Sequence, residues 1–146
     1  MKKRILTMAA LLAVVMTLAA ASVNAQSGAR IEASVPFDFA AGNARLKAGD
    51  YSVTRIAQNE FLLRSADLKT AVLVQASMVV AQRREGSPAR LVFKRYGSEY
   101  FLAQVWVNGS ADGAALYASK TEERLARQKK ERNETAKMID VLARAK

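Results

Sequence analysis

The chain has no cysteine and no histidine among its 146 residues. Without them there can be no disulfide, no thiolate or imidazole metal site, and no Cys-His or Ser-His-Asp catalytic machinery. The sequence also lacks a G-x-S-x-G elbow, an S-x-x-K pair, a Walker or dinucleotide glycine pattern and an EF-hand loop, so neither a cofactor nor a metal is expected. Proline occurs only twice and tryptophan once. Carboxylates remain, but Asp38, Asp50, Asp67 and Asp112 each fall at a strand end or turn, which their side-chain hydrogen bonds favour without any acid-base role.

What is present first is an address. Met1-Lys2-Lys3-Arg4 is a basic lead into an apolar run from Ile5 to Ala21, and Val23-Asn24-Ala25 fits the small-residue rule for signal peptidase. Residues 1–25 therefore read as a signal peptide, with the mature chain starting at Gln26 in the periplasm or beyond. The alternative is an uncleaved anchor, since the run approaches the length of a spanning helix. No cysteine follows it, which excludes a bacterial lipoprotein anchor. Removal of the leader takes three positive charges from the net +10 and leaves +7. A basic body with a basic tail favours anionic surfaces such as lipid headgroups or acidic glycans.

Residues 26–116 read as one antiparallel β-domain. From Ile31 to Ala40 the chain alternates, with Ile31, Ala33, Val35, Phe37 and Phe39 facing one way. Pro36 cannot donate to a ladder, which points to an edge or a bulge there. Strands are also expected over Tyr51–Ile56, Phe61–Arg64 and Thr70–Ala81, the last too rich in valine for a helix. The densest apolar stretch is 91–107, a hairpin turning at Gly97-Ser98. A three-residue loop through Glu99 puts Leu91 and Phe93 on one face with Phe101, Ala103, Val105 and Val107. Lys94, Tyr96, Tyr100 and Gln104 then share the other; a two-residue turn mixes these faces. The whole fits an all-β fold, a small barrel or a two-sheet sandwich.

After Leu116 the composition changes. Ser119-Lys120-Thr121-Glu122 matches a capping box, and nothing breaks a helix from there to about Ala143. Residues 117–146 thus read as a long charged C-terminal helix. Leu125 would dock its first turns, and Met138, Ile139, Val141 and Leu142 would form a distal apolar patch for another chain, a second copy or an envelope protein, unless the tail is frayed.

The mature chain resembles a family of small exported acidobacterial proteins to which no activity is assigned. The likeness rests on Val35-Pro36-Phe37-Asp38-Phe39, on Leu46 to Val53 against L-P-A-G-x-Y-x-V, on Arg95-Tyr96-Gly97 with Tyr100-Phe101-Leu102 and Val105-Trp106, and on Ser119 to Glu122 with Ala126-Arg127. Lys47 stands where the pattern has proline. The resemblance implies export and an all-β fold, and no reaction.

Arg83, Arg84, Arg90, Lys94 and Arg95 are candidates for one anionic-surface patch, with Tyr96 and Tyr100 beside them. Solvated charge on the wet side of a sheet explains the same residues. The exported address argues against nucleic acid. Two functional readings follow: a non-enzymatic envelope protein that binds a protein, lipid or glycan, or a carrier of a small apolar ligand inside a barrel. An enzyme using only carboxylates is a distant third. Expressed with its own leader, the protein is expected in the soluble exported fraction, and N-terminal sequencing should start at Gln26. Full-length chain in the membrane fraction would show that the leader stays as an anchor.

Overall fold

Turn signals cut the apolar stretches into short strands, and each strand finds its partner mostly in its sequence neighbour. A computed structural model describes residues 29–80, 86–110 and 112–146. The leader, its cleavage site and Arg83-Arg84 lie outside the described residues. The elements are β1 (Arg30–Val35), β2 (Phe39–Ala41), β3 (Ala44–Leu46), β4 (Gly49–Ala57), β5 (Glu60–Ser65), β6 (Ala71–Val80), β7 (Arg90–Tyr96), β8 (Glu99–Trp106), β9 (Asp112–Leu116), α1 (Lys120–Glu131) and β10 (Lys137–Ala145).

Eight strands close into an antiparallel barrel in the order β8-β7-β10-β1-β4-β5-β6-β9, with β9 returning to β8. Closure removes sheet edges, and eight strands leave a bore just wide enough for side chains. On β8, β9 pairs only with Gln104 to Trp106. Further along, β2 takes over with a parallel bridge from Ala40 to Phe101, and β3 pairs with β2.

The residues from Pro36 to Ala48 thereby plug one end. Phe39 meets Tyr51 and Phe93 edge to face, each at 5.2 Å, while Phe37 stacks on Tyr100 at 3.9 Å. Two polar ties hold the plug: the Tyr51 hydroxyl donates to the Lys47 carbonyl at 2.7 Å, and Asp38 accepts from Lys47 Nζ at 2.8 Å and the Ala48 amide at 2.9 Å. These donors hold the Asp38 carboxyl below its ordinary range, the Lys47 hydrogen bond most of all. One continuous cluster fills the bore, with Phe93, Ile31, Leu63, Leu91, Val35, Val53 and Val105 fully buried. Each such side chain contributes about 1.5–3 kcal/mol.

The barrel form of the expected all-β fold is the one observed. The alternation from Ile31 also holds, since Ile31, Ala33, Val35 and Phe39 are all interior. Pro36 is not on an edge strand. It follows the last residue of β1, which pairs on both sides, and there its missing donor costs nothing.

The hairpin differs from expectation in an instructive way. Tyr96 pairs with Glu99, so the turn is the two-residue Gly97-Ser98, with Gly97 in the left-handed region at φ 66°. The mixing of faces this implies is undone by one extra residue: Val92 opposes Gln104 and Phe93 opposes Leu102, leaving Ala103 as a bulge. Leu91, Phe93, Leu102 and Val105 all face inward, and Phe101 moves to the outer face.

The long C-terminal helix is corrected. It ends at Glu131, and Asn133 turns the chain at φ 55°, with the Glu134 amide reaching back to the Lys129 carbonyl at 2.9 Å. Residues 137–145 then form β10, between β1 and β7, so the β-domain does not stop at 116. Ile139 and Val141 pack inward opposite Phe93 and Leu91, while Met138 and Leu142 point out. The inward residues Ile139, Val141 and Ala143 lie two apart, which is a strand's period, and the gap left in the ring rewards it. Among the described residues no helix is long and apolar enough to cross a membrane.

A chain ending at Ala136 is expected to lose cooperative thermal unfolding altogether, because β1 and β7 would both become open edges over Ile31, Leu91 and Phe93. Leu142→Ala, on the outer face, should change stability by less than about 0.5 kcal/mol. Calorimetry on the two variants checks both.

Candidate functional site

The outer face of β7 and β8 is not the wet face that alternation suggests. Val92, Tyr96, Phe101 and Trp106 are buried there although they are not part of the interior cluster. Helix α1 packs against β7. Its start is set by Ser119, whose hydroxyl accepts from the Glu122 amide at 3.2 Å. Glu122 turns in and becomes the one buried charged residue among the described residues, 3.4 Å from Lys94 Nζ. Tyr96 lies beneath: burial raises its phenol above the ordinary value, and the Glu122 carboxylate pushes it in the same direction. Trp106 donates to Gln104 Oε1 at 2.9 Å and lies flat against Gly113 of β9. A Cβ on Gly113 would come within 2.6 Å of the indole, so glycine is required there.

This second layer takes up two of the three described residues of the expected basic patch. Arg90 pairs with Asp140 of β10 and lies over the Trp106 ring at 5.4 Å, and Lys94 is held by Glu122. Arg95 points the other way, its Nε donating to the Gly97 carbonyl at 2.7 Å and its guanidinium over Tyr100 at 5.4 Å. The three described members, Arg90, Lys94 and Arg95, are therefore not one surface. Nor do Leu125, Met138, Ile139, Val141 and Leu142 form a helix face: Leu125 is half-buried on α1, and the rest alternate across β10.

Arg95 instead joins two cations that the sequence did not place beside it. Where α1 ends and β10 begins, Arg95, Lys129 and Lys137 line an open cleft of about 570 Å³ with Gly97, Asn133, Glu134 and Thr135. The β7-β10 register sets Lys137 directly across from Arg95. Lys129 is paired with Glu134, whose carboxyl it holds below the ordinary range. Nothing in the linear spacing announces this meeting, because it needs the helix to stop and the chain to return as a strand. Among the described residues no group of three or more carboxylates is placed to hold a metal ion. Comparison with protein-family models, curated proteins and solved structures finds no match to the chain.

The layer under α1 has a pH signature. Tyr96 is raised by burial and Glu122, and Tyr51 by burial and then by Asp67 and Asp38. A phenol whose folded pKa lies above its unfolded value of about 10 adds stability that is fully present below pH 10 and is lost as pH rises through the folded value. Tyrosinate absorbance should therefore show late-titrating phenols in the folded protein. Tyr96→Phe is expected to remove one of them and flatten the alkaline fall in stability, and an unchanged titration in that variant would contradict this.

Proposed function

We propose that the chain is an exported barrel that acts by binding, at the cleft between α1 and β10, an anionic phosphate or carboxylate group of the cell envelope. The observation that carries this reading is the cross-strand pair Arg95 and Lys137. Like charges directly opposite one another on a sheet destabilise it, and Lys137 has no ion-pair partner among the described residues. A third cation, Lys129, and the side chains of Asn133 and Thr135 line the same cleft. An anion seated there would offset the repulsion and accept hydrogen bonds from its walls.

Export rests on the leader at residues 1–25 and on the resemblance to small exported acidobacterial proteins. The missing histidine and cysteine, which close the common nucleophilic mechanisms, favour binding over catalysis. Anionic lipid headgroups and acidic glycans carry the required groups, and an envelope protein rich in carboxylates is a further candidate. The alternative, a carrier of an apolar ligand, needs room in the bore. That space is taken by the interior cluster and by the Phe37, Phe39 and Phe93 contacts, which favours the surface cleft.

Flotation with vesicles tests the proposal. Binding to anionic vesicles should exceed binding to zwitterionic ones and fall with added salt. Lys137→Gln should weaken it about fivefold, corresponding to about 1 kcal/mol for one basic residue at an anionic surface. The same variant should raise folding stability by about 0.2–1 kcal/mol, because the opposed charge is gone. Equal binding by both proteins, with no gain in stability, would remove the cleft from consideration.

A further inference from the structure

The barrel has a second unusual face, far from the cleft in the strand order. On the outer side of β4, β5 and β6 the register aligns three rows: Thr54, Leu62 and Leu73 in the middle, Ser52, Arg64 and Ala71 to one side, and Ala57, Glu60 and Gln75 to the other. Leu62 and Leu73 in the middle row are apolar where a solvated sheet face would be polar, and Leu73 is 54% exposed. Ile56, at the bulge of β4, is 52% exposed beside the Ala57 row, and Tyr117, whose amide donates to the Gln75 carbonyl at 3.3 Å, is 61% exposed at its other end. Glu60 and Arg64 flank Leu62 at two residues, about 7 Å, on either side. Neither makes an ion pair among the described residues.

The structure assigns this face to a second copy of the same chain. A two-fold axis lying between two such faces and crossing the strands through Leu62 stacks Leu62 on Leu62 and Leu73 on Leu73. It also brings each Glu60 over the Arg64 of the other copy, and each Ala71 over a Gln75. An acid, an apolar centre and a base in line on one strand are self-complementary under that operation, as an isologous interface requires. A two-fold axis along the strands would oppose acid to acid, so the charges choose the arrangement as well as the partner. The interface leaves the cleft near α1 open and does not depend on what that cleft binds.

Sedimentation velocity on the purified protein across a dilution series is the test. The unaltered chain should run as a dimer that dissociates on dilution. Glu60→Arg and Arg64→Glu should each weaken self-association about a hundredfold, because symmetry repeats every like-charge clash twice. Mixing the two single variants should restore a dimer, and so should combining both changes in one chain. Leu73→Asp should abolish it. A chain that is monomeric at every concentration overturns the assignment, and so does a dimer indifferent to the single charge reversals or a mixture that fails to associate. Thermal unfolding of each variant shows whether the monomer is intact, and changes at Arg64 and Leu73, both exposed, and at half-buried Glu60 should leave it unchanged.

Discussion

Pairing of Lys137–Ala145 with both β1 and β7 is the interaction on which the rest of this structure depends. Without it β1 and β7 are two edges, and the sheet from β1 round to β7 is a curled strip rather than a barrel. With it, Ile31 sits opposite Ala145, and the Lys146 amide reaches the Arg30 carbonyl at 3.1 Å. The two ends of the described chain are thus adjacent strands. Their contact is the longest-range pairing in the fold, and its loop-closure entropy has to be met before the interior can be sealed.

Closure also explains how the molecule comes to have two buried layers. The interior cluster is the ordinary core of a small barrel. The second layer exists because α1, the link that carries the chain back to β10, crosses the outer face of β7, where Val92 and Tyr96 are buried. Burying Glu122 there is tolerable because Lys94 stands against it, and removing the lysine would strand the carboxylate out of water. The same crossing sets the helix end beside the start of β10, which is how Lys129, Lys137 and Arg95 come to surround one cleft. Opposed cations at that point are a local concession in stability, of the sort binding sites make when the compensating charge comes from a ligand.

Two distinct surfaces therefore break the usual rules of a solvated barrel, and they break them differently. Near α1 the departure is electrostatic. On β4, β5 and β6 it is hydrophobic, with leucines where polar side chains belong and an acid and a base on opposite sides of them. Their separation around the ring means that the two proposed contacts would not compete.

Local chemistry in the sequence was enough to determine the all-β body, the inward set from Ile31 to Phe39, the hairpin at Gly97-Ser98, and the helix start at Ser119. Alternation, turn residues and caps act over a few neighbours, so they survive without knowledge of the fold. The barrel's closure, the bulge at Ala103, the end of the helix and the site itself were decided only by tertiary structure. Residues 137–145 contain strong helix formers, and their alternation of Ile139, Val141 and Ala143 has meaning only against an open place between β1 and β7. Arg90, Lys94 and Arg95 look alike as neighbours in sequence, yet Asp140, Glu122 and Lys137, all supplied by the last third of the chain, give them different surroundings. A charge's role depends on what lies across from it, and that is set by pairing between residues far apart in the chain.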